Sequence, residues 1–164
     1  MTSRSRLPAL LRAASRARAR AYAPYSRFRV GAAVLAGGRI FAAGNVENSA
    51  YPLSVCAERN AVAMAVAAGY RRIDAVAVVA GEDQPAAPCG GCRQVLAEFC
   101  APRTPVIYAA SGGRSVTTDV GALLPDAFGP DALRRAASAG MRTPANGHRR
   151  AARVRLTARG GRSP

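Results

Sequence analysis

Residues 56–58 read Cys-Ala-Glu, and residues 88–92 read Pro-Cys-Gly-Gly-Cys. Cys89 and Cys92 form a C-x-x-C pair, and Cys56 adds a third thiol with a carboxylate, Glu58, two residues further on. Three cysteines arranged this way can ligate zinc and leave the fourth place for water, whereas a structural zinc takes four protein ligands. The remaining cysteine, Cys100, lies eight residues past Cys92. On one helix that is ~12 Å, too far to share an ion. Cys100 therefore reads as a small buried hydrophobe.

Both segments fall where the sequence predicts helix starts. Cys56 to Ala68 is rich in Ala and is stopped by Gly69, and Pro88 opens a second helix over Cys89 to Phe99. The positive end of a helix favours thiolate over thiol. Three thiolates on Zn²⁺ leave a net negative charge that works against acidifying a bound water, and Arg59 is the natural compensating cation. Glu58, in a first helical turn, is placed near the ion without being forced to bind it. That suits a proton carrier for a zinc-bound water, whose pKa falls from ~15.7 toward ~7.

Further out, Leu7, Leu10, Leu11, Ala14 and Ala17 recur at helical spacing, predicting a helix over 7–20 that ends before Pro24. Arg29–Ala36 and Arg39–Ala43 read as strands of a hairpin turned by Gly37-Gly38. Residues 44–54 form a polar loop carrying Asn45, Glu47, Asn48 and Ser49. Ile73–Ala80 is mostly Val and Ala, and its apolar run predicts a strand covered on both faces. Val106–Ala110 and Ser115–Val120 read as two more strands around a Ser111-Gly112-Gly113 turn, and Asp131–Ala139 as a short last helix. The alternation predicts an α/β layer fold, a sheet covered by helices.

The chain has 164 residues, enough for one domain with a core of its own. It has no apolar run of membrane-spanning length, and its start lacks the apolar stretch of a secretory signal. The Arg-rich beginning has the look of a mitochondrial transit peptide, but the helix runs straight into functional sequence, so a cytoplasmic setting is expected. Net charge is +15, and all 24 basic residues are Arg. Residues 1–29 hold eight Arg and residues 141–164 seven, neither with an acid; the stretch between balances nine against nine. Residues 141–164, which include His148, read as a basic disordered tail following a domain over 1–140. With few aromatics and none among the Arg runs, nucleic acid is expected only as non-specific contact through the Arg-rich ends.

The order Cys-x-Glu followed by Pro-Cys-x-x-Cys is a zinc deaminase signature. The chain resembles the small homotetrameric cytidine deaminases over roughly residues 7–138. The likeness rests on the stretches from Ala21 to Ala33 and from Gly44 to Tyr51. It continues with Cys56-Ala57-Glu58-Arg59, Pro88 to Gln94, and Leu123 to Phe128. That resemblance implies a three-layer fold with a mixed five-stranded sheet covered by helices. It implies one Zn²⁺ per subunit on Cys56, Cys89 and Cys92, Glu58 as proton shuttle, and Arg59 hydrogen-bonding the ligand sulfurs. It places Asn45, Val46 and Glu47 at the substrate, with Asn45 and Glu47 on the ribose hydroxyls. Phe28 would pack on the pyrimidine face, and the Ala57 N–H would meet the base carbonyl. Tyr51 and Phe128 would reach a neighbouring subunit's pocket. The implied reaction is hydrolysis of cytidine or 2′-deoxycytidine to uridine or 2′-deoxyuridine and ammonia. Taken singly, Phe28 and Phe128 would pass as core, and Asn45 and Glu47 as loop polars. The rival readings are a deaminase of another aminopyrimidine nucleoside, such as blasticidin S, and a non-catalytic zinc-stabilised module. The second has no use for Glu58.

Overall fold

A computed structural model describes residues 3–140. The tail predicted over 141–164, with His148, lies outside the described residues.

Helix α1 (Leu7–Ala19) turns Leu7, Leu10, Ala13, Ala14 and Ala17 inward, and Pro8 sits in its first turn, where a missing N–H costs nothing. Strands β1 (Val30–Ala36) and β2 (Arg39–Gly44) are joined by Gly37 and Gly38, at φ 54° and 78°. A two-residue hairpin turn that follows the strand twist needs such positive angles. Helix α2 (Ala57–Ala67) leads to β3 (Ala75–Ala80), buried at all six positions as its unbroken apolarity predicts. Helix α3 (Gly90–Phe99) crosses to β4 (Pro105–Ala109), and β5 (Ser115–Asp119) returns beside it. The sheet order is β2-β1-β3-β4-β5. Only β3 and β4 run parallel, so the sheet is mixed and five-stranded, as expected.

Period-two alternation sorts the strands onto two cores. Ala33, Leu35, Ala77 and Val79 face α1, packed on Leu7, Leu10 and Ala14. Ala32, Val34, Val76, Val78 and Val106 face the other way, against Ala61, Val62 and Ala65 of α2 and Leu96 of α3. Burying each Leu or Val is worth about 1.5–3 kcal/mol. The α1 layer sits very close: a Cβ on Gly31 would lie 2.0 Å from the Ala14 carbonyl oxygen. Only glycine permits that approach.

The strand read from Ile73 begins at Ala75, the loop read over 44–54 holds a single helical turn at Tyr51–Leu53, and the last strand also departs from the sequence reading. The last strand was expected to reach Val120 but stops at Asp119. There the Asp119 carboxylate accepts the Ala122 N–H at 2.8 Å and caps a single-turn helix, α4 (Val120–Leu123).

The first compact unit ends at Pro130, ahead of the boundary at 140 read from composition. The described part of the second unit is the remainder of helix α5 (Pro130–Gly140). Within it, Arg134 donates to Asp131, and every side chain from Leu133 to Ser138 is exposed.

Candidate active site

The three thiols converge because two helices begin at the same place. Cys56 and Cys89 are the N-cap residues of α2 and α3, both with extended backbone. Their carbonyls accept the first helical N–H groups, from Asn60 at 3.1 Å and Arg93 at 3.0 Å. Each cap leaves unpaired first-turn N–H groups and a positive helix end close to its own sulfur. Cys92 lies in the first turn of α3 and is fully buried. All three sulfurs lie within 4.8 Å of one another, and those of Cys56 and Cys89 are 3.9 Å apart. Tetrahedral zinc with Zn–S of ~2.3 Å separates its sulfurs by about 3.8 Å, so this donor set fits zinc. Cys100 stands apart. Burial, then the nearby Asp74, pushes its thiol up to about 12, as suits an inert core cysteine.

The thiols share their protons unequally. A hydrogen bond from Cys92 is the main cause that brings Cys56 down to about 6, with Cys89 and the charge of Arg59 assisting. Cys92 shifts the opposite way, because its hydrogen bond to Cys56 and then its burial favour the protonated thiol. Arg59 adds a small positive influence at Cys56. Among the described residues, however, it is exposed and reaches Cys56 through space, with no hydrogen bond to a sulfur. Glu58 is 5% exposed, and burial holds its carboxyl above the usual carboxylate range. A carboxyl that keeps its proton more readily than a surface glutamate suits proton transfer.

Cys56, Cys89 and Glu58 form the floor of a cleft of about 520 Å³, and the fully buried Cys92 lies outside its lining. Its base also takes in Val78 and Ala80 from the end of β3. Phe28, Asn45, Val46, Glu47 and Tyr51 line its walls. The structure thus gathers most of the sequence-predicted site residues at one opening. Ala57 is fully buried at the start of α2, behind that lining. Tyr51 sits at the mouth of its own chain's cleft, 70% exposed and edge-on to Tyr25. Phe128 lies outside the lining and is 61% exposed, its carbonyl accepting from Gln94 Nε2 at 2.6 Å.

The walls are fixed by polar side chains. Asn45 accepts the Val30 N–H at 2.8 Å and donates to the Phe28 carbonyl at 3.0 Å. Glu47 accepts the N–H groups of Tyr25 at 2.9 Å and Ser26 at 3.2 Å, and also the Ser26 hydroxyl. Between Ser26 and Phe28 the backbone makes a left-handed step at Arg27, φ 59°, which is uncommon for a side-chain-bearing residue. Sequence reasoning missed Ser26, which had no pattern of its own. It also missed Arg93, whose guanidinium bonds the carbonyls of Pro88 at 2.8 Å and Leu123 at 3.0 Å, tying the α3 cap to α4.

Residues 4–108 match the family described as the cytidine and deoxycytidylate deaminase zinc-binding region. The chain is 48% identical over 129 residues to a cytidine deaminase of Sporosarcina psychrophila, covering 78% of this chain and 95% of that one. A crystal structure of cytidine deaminase from Burkholderia pseudomallei is 49% identical and superposes with a TM-score of 0.71 over 74% of this chain and 98% of that one. Cytidine deaminase from Mycobacterium tuberculosis is 41% identical, with a TM-score of 0.65 over 74% and 96%.

Proposed function

The chain belongs to the cytidine and deoxycytidylate deaminase family, and from that premise we propose that its cleft binds a cytosine nucleoside over the three cysteines, with Glu58 moving the protons. The reaction is hydrolytic deamination of cytidine to uridine with release of ammonia, a step of pyrimidine salvage; 2′-deoxycytidine is converted in the same way. Cys56, Cys89 and Cys92 would hold zinc, which when bound would supply the acidified water that attack at C4 of the base requires. Glu58 accepts one proton from the water and delivers it to N3, then takes the second proton from the hydroxyl now on C4 and passes it to the departing amino group. Phe28 stacks on the pyrimidine, Asn45 and Glu47 hold the ribose hydroxyls beside Val46, and the Ala57 N–H meets the base carbonyl. Arg59 offsets the thiolate charge. In this reading the deaminase domain spans 1–140, and all of these residues precede Pro130.

One observation carries the reading. A buried carboxyl, Glu58, shares the floor of a nucleoside-sized cleft with two of three thiols spaced for one ion. The test is ammonia release from cytidine by the zinc-loaded protein beside Glu58→Gln. Turnover that falls about 10²–10⁴-fold in the variant, with zinc retained, supports the assignment. Ammonia from blasticidin S and none from cytidine would move the substrate. No turnover of either would leave a zinc-stabilised binding module.

A homotetramer is part of the same proposal. Tyr51, Leu53 and Phe128 are all more than 60% exposed, large apolar surfaces that a second copy would cover. Light scattering of the purified protein checks it. Among the described residues no helix is long and apolar enough to cross a membrane. The same reading takes the enzyme to be cytoplasmic, touching nucleic acid only non-specifically through its Arg-rich ends.

A further inference from the structure

Ser26 has no assigned part in the chemistry, yet its hydroxyl stands at the junction of both polar walls of the cleft. It donates to Glu47 Oε1 and accepts the Phe28 N–H at 3.0 Å. Glu47 Oε2 is already occupied by the N–H groups of Tyr25 and Ser26. A carboxylate accepts about four hydrogen bonds, two per oxygen. Oε2 is therefore filled, and Oε1 keeps one free lone pair beside the serine hydroxyl. The hydroxyl thus selects which part of the carboxylate is left for a ligand and in which direction it points. Glu47 lines the cleft, and this hydrogen bond is also the main reason its carboxyl lies below its ordinary range. The same side chain fixes Phe28, one residue beyond the left-handed step at Arg27.

We propose that Ser26 is a positioning residue for nucleoside recognition: by anchoring Glu47 Oε1 it aims the remaining lone pair at a ribose hydroxyl, and so sets the preference for sugars that carry one. The inference rests on the reading of Glu47 as a ribose ligand. Ser26 touches no reacting atom, so its effect falls on binding and leaves the proton steps at Glu58 alone. An unanchored carboxylate turns toward water, and part of the binding energy then goes into re-ordering it.

The experiment is steady-state kinetics of the zinc-loaded enzyme on cytidine and on 2′,3′-dideoxycytidine, which lacks the hydroxyls in question. Ser26→Ala is expected to raise KM for cytidine about ten-fold, with kcat changed less than two-fold. On dideoxycytidine its KM should match that of the unaltered enzyme. Ser26→Thr, which keeps the hydroxyl, should restore cytidine KM. Retained kcat in each variant shows that the protein has folded and holds its ion. An equal KM penalty on both nucleosides would overturn the proposal, because Ser26 would then act only through Phe28 and the loop. So would an unchanged KM for cytidine. Glu47→Gln separates this idea from its premise. If that variant raises cytidine KM and Ser26→Ala does not, the positioning role alone fails. If neither does, the ribose assignment of Glu47 fails with it.

Discussion

The floor and the walls of the cleft are held in different ways. On the floor, Cys56 and Cys89 are helix caps and Glu58 sits in a first helical turn, as does the buried Cys92, all set by the packing of α2 and α3 on the sheet. The wall from Tyr25 to Val30 has no regular structure until its last residue. It stays in place because Asn45 and Glu47, two short steps along the chain from β2, bond its backbone. The floor rests on apolar burial, and the wall rests on a few polar bonds. Perturbations of the floor should therefore change whether the enzyme turns over at all. Perturbations of the wall should change how much substrate it needs.

The sharpest contrast is metal removal. Chelation is expected to abolish turnover while far-UV circular dichroism stays close to that of the loaded protein, because α2 and α3 are packed without the ion; added Zn²⁺ should restore activity. Loss of the helical signal on chelation would break the comparison, since the floor would then depend on its ligand. Next in size is Gly31→Ala. Its new methyl would meet the Ala14 carbonyl, so thermal unfolding should show a loss of about 3 kcal/mol or more. Asn45→Ala comes third. It leaves the Val30 N–H without its partner, and cytidine KM should rise about ten-fold with a stability loss of only about 1–2 kcal/mol. A larger loss of stability than of affinity would mean that the wall is part of the frame.

The smallest effect is one of pH. Glu47 has its folded-state pKa lowered from 4.5, first by the Ser26 hydroxyl, so folding favours its ionised form. The contribution of the wall is thus complete above pH 4.5 and fades as pH falls through the lower folded value. Backbone amide resonances of Tyr25 and Ser26 should shift in that acid window and be steady above it. In Glu47→Gln the transition should vanish.

The frame was legible because each element satisfies a local rule. Gly37-Gly38 turns its hairpin, β3 is apolar at every position, and Leu7, Leu10 and Ala14 keep helical spacing. The thiol cluster was legible from spacing and from the predicted helix starts. The Ser26–Glu47 and Arg93–Leu123 bonds were not, because they join residues 21 and 30 positions apart with no periodicity to link them. The short α4 escaped because four residues carry no repeat, and its one signal, Asp119 as a cap, also suits the end of a strand. Where the Arg59 side chain reaches was not legible either, because it depends on how far that side chain stands from the sulfurs.

Cys56 and Cys89 are 33 residues apart, and β3, the central strand, lies between them. An ion gripping both closes that stretch into a ring, with α1 and the hairpin outside on one side and β4 and β5 outside on the other. Under tension applied at the two ends, the force would run from Cys56 through the metal to α3 and bypass the centre of the sheet. The ring would hide a contour length of roughly 110 Å, at about 3.3 Å per residue, which only metal-free molecules would release. The catalytic ion would then also serve as a mechanical shunt around the strand on which both cores are built.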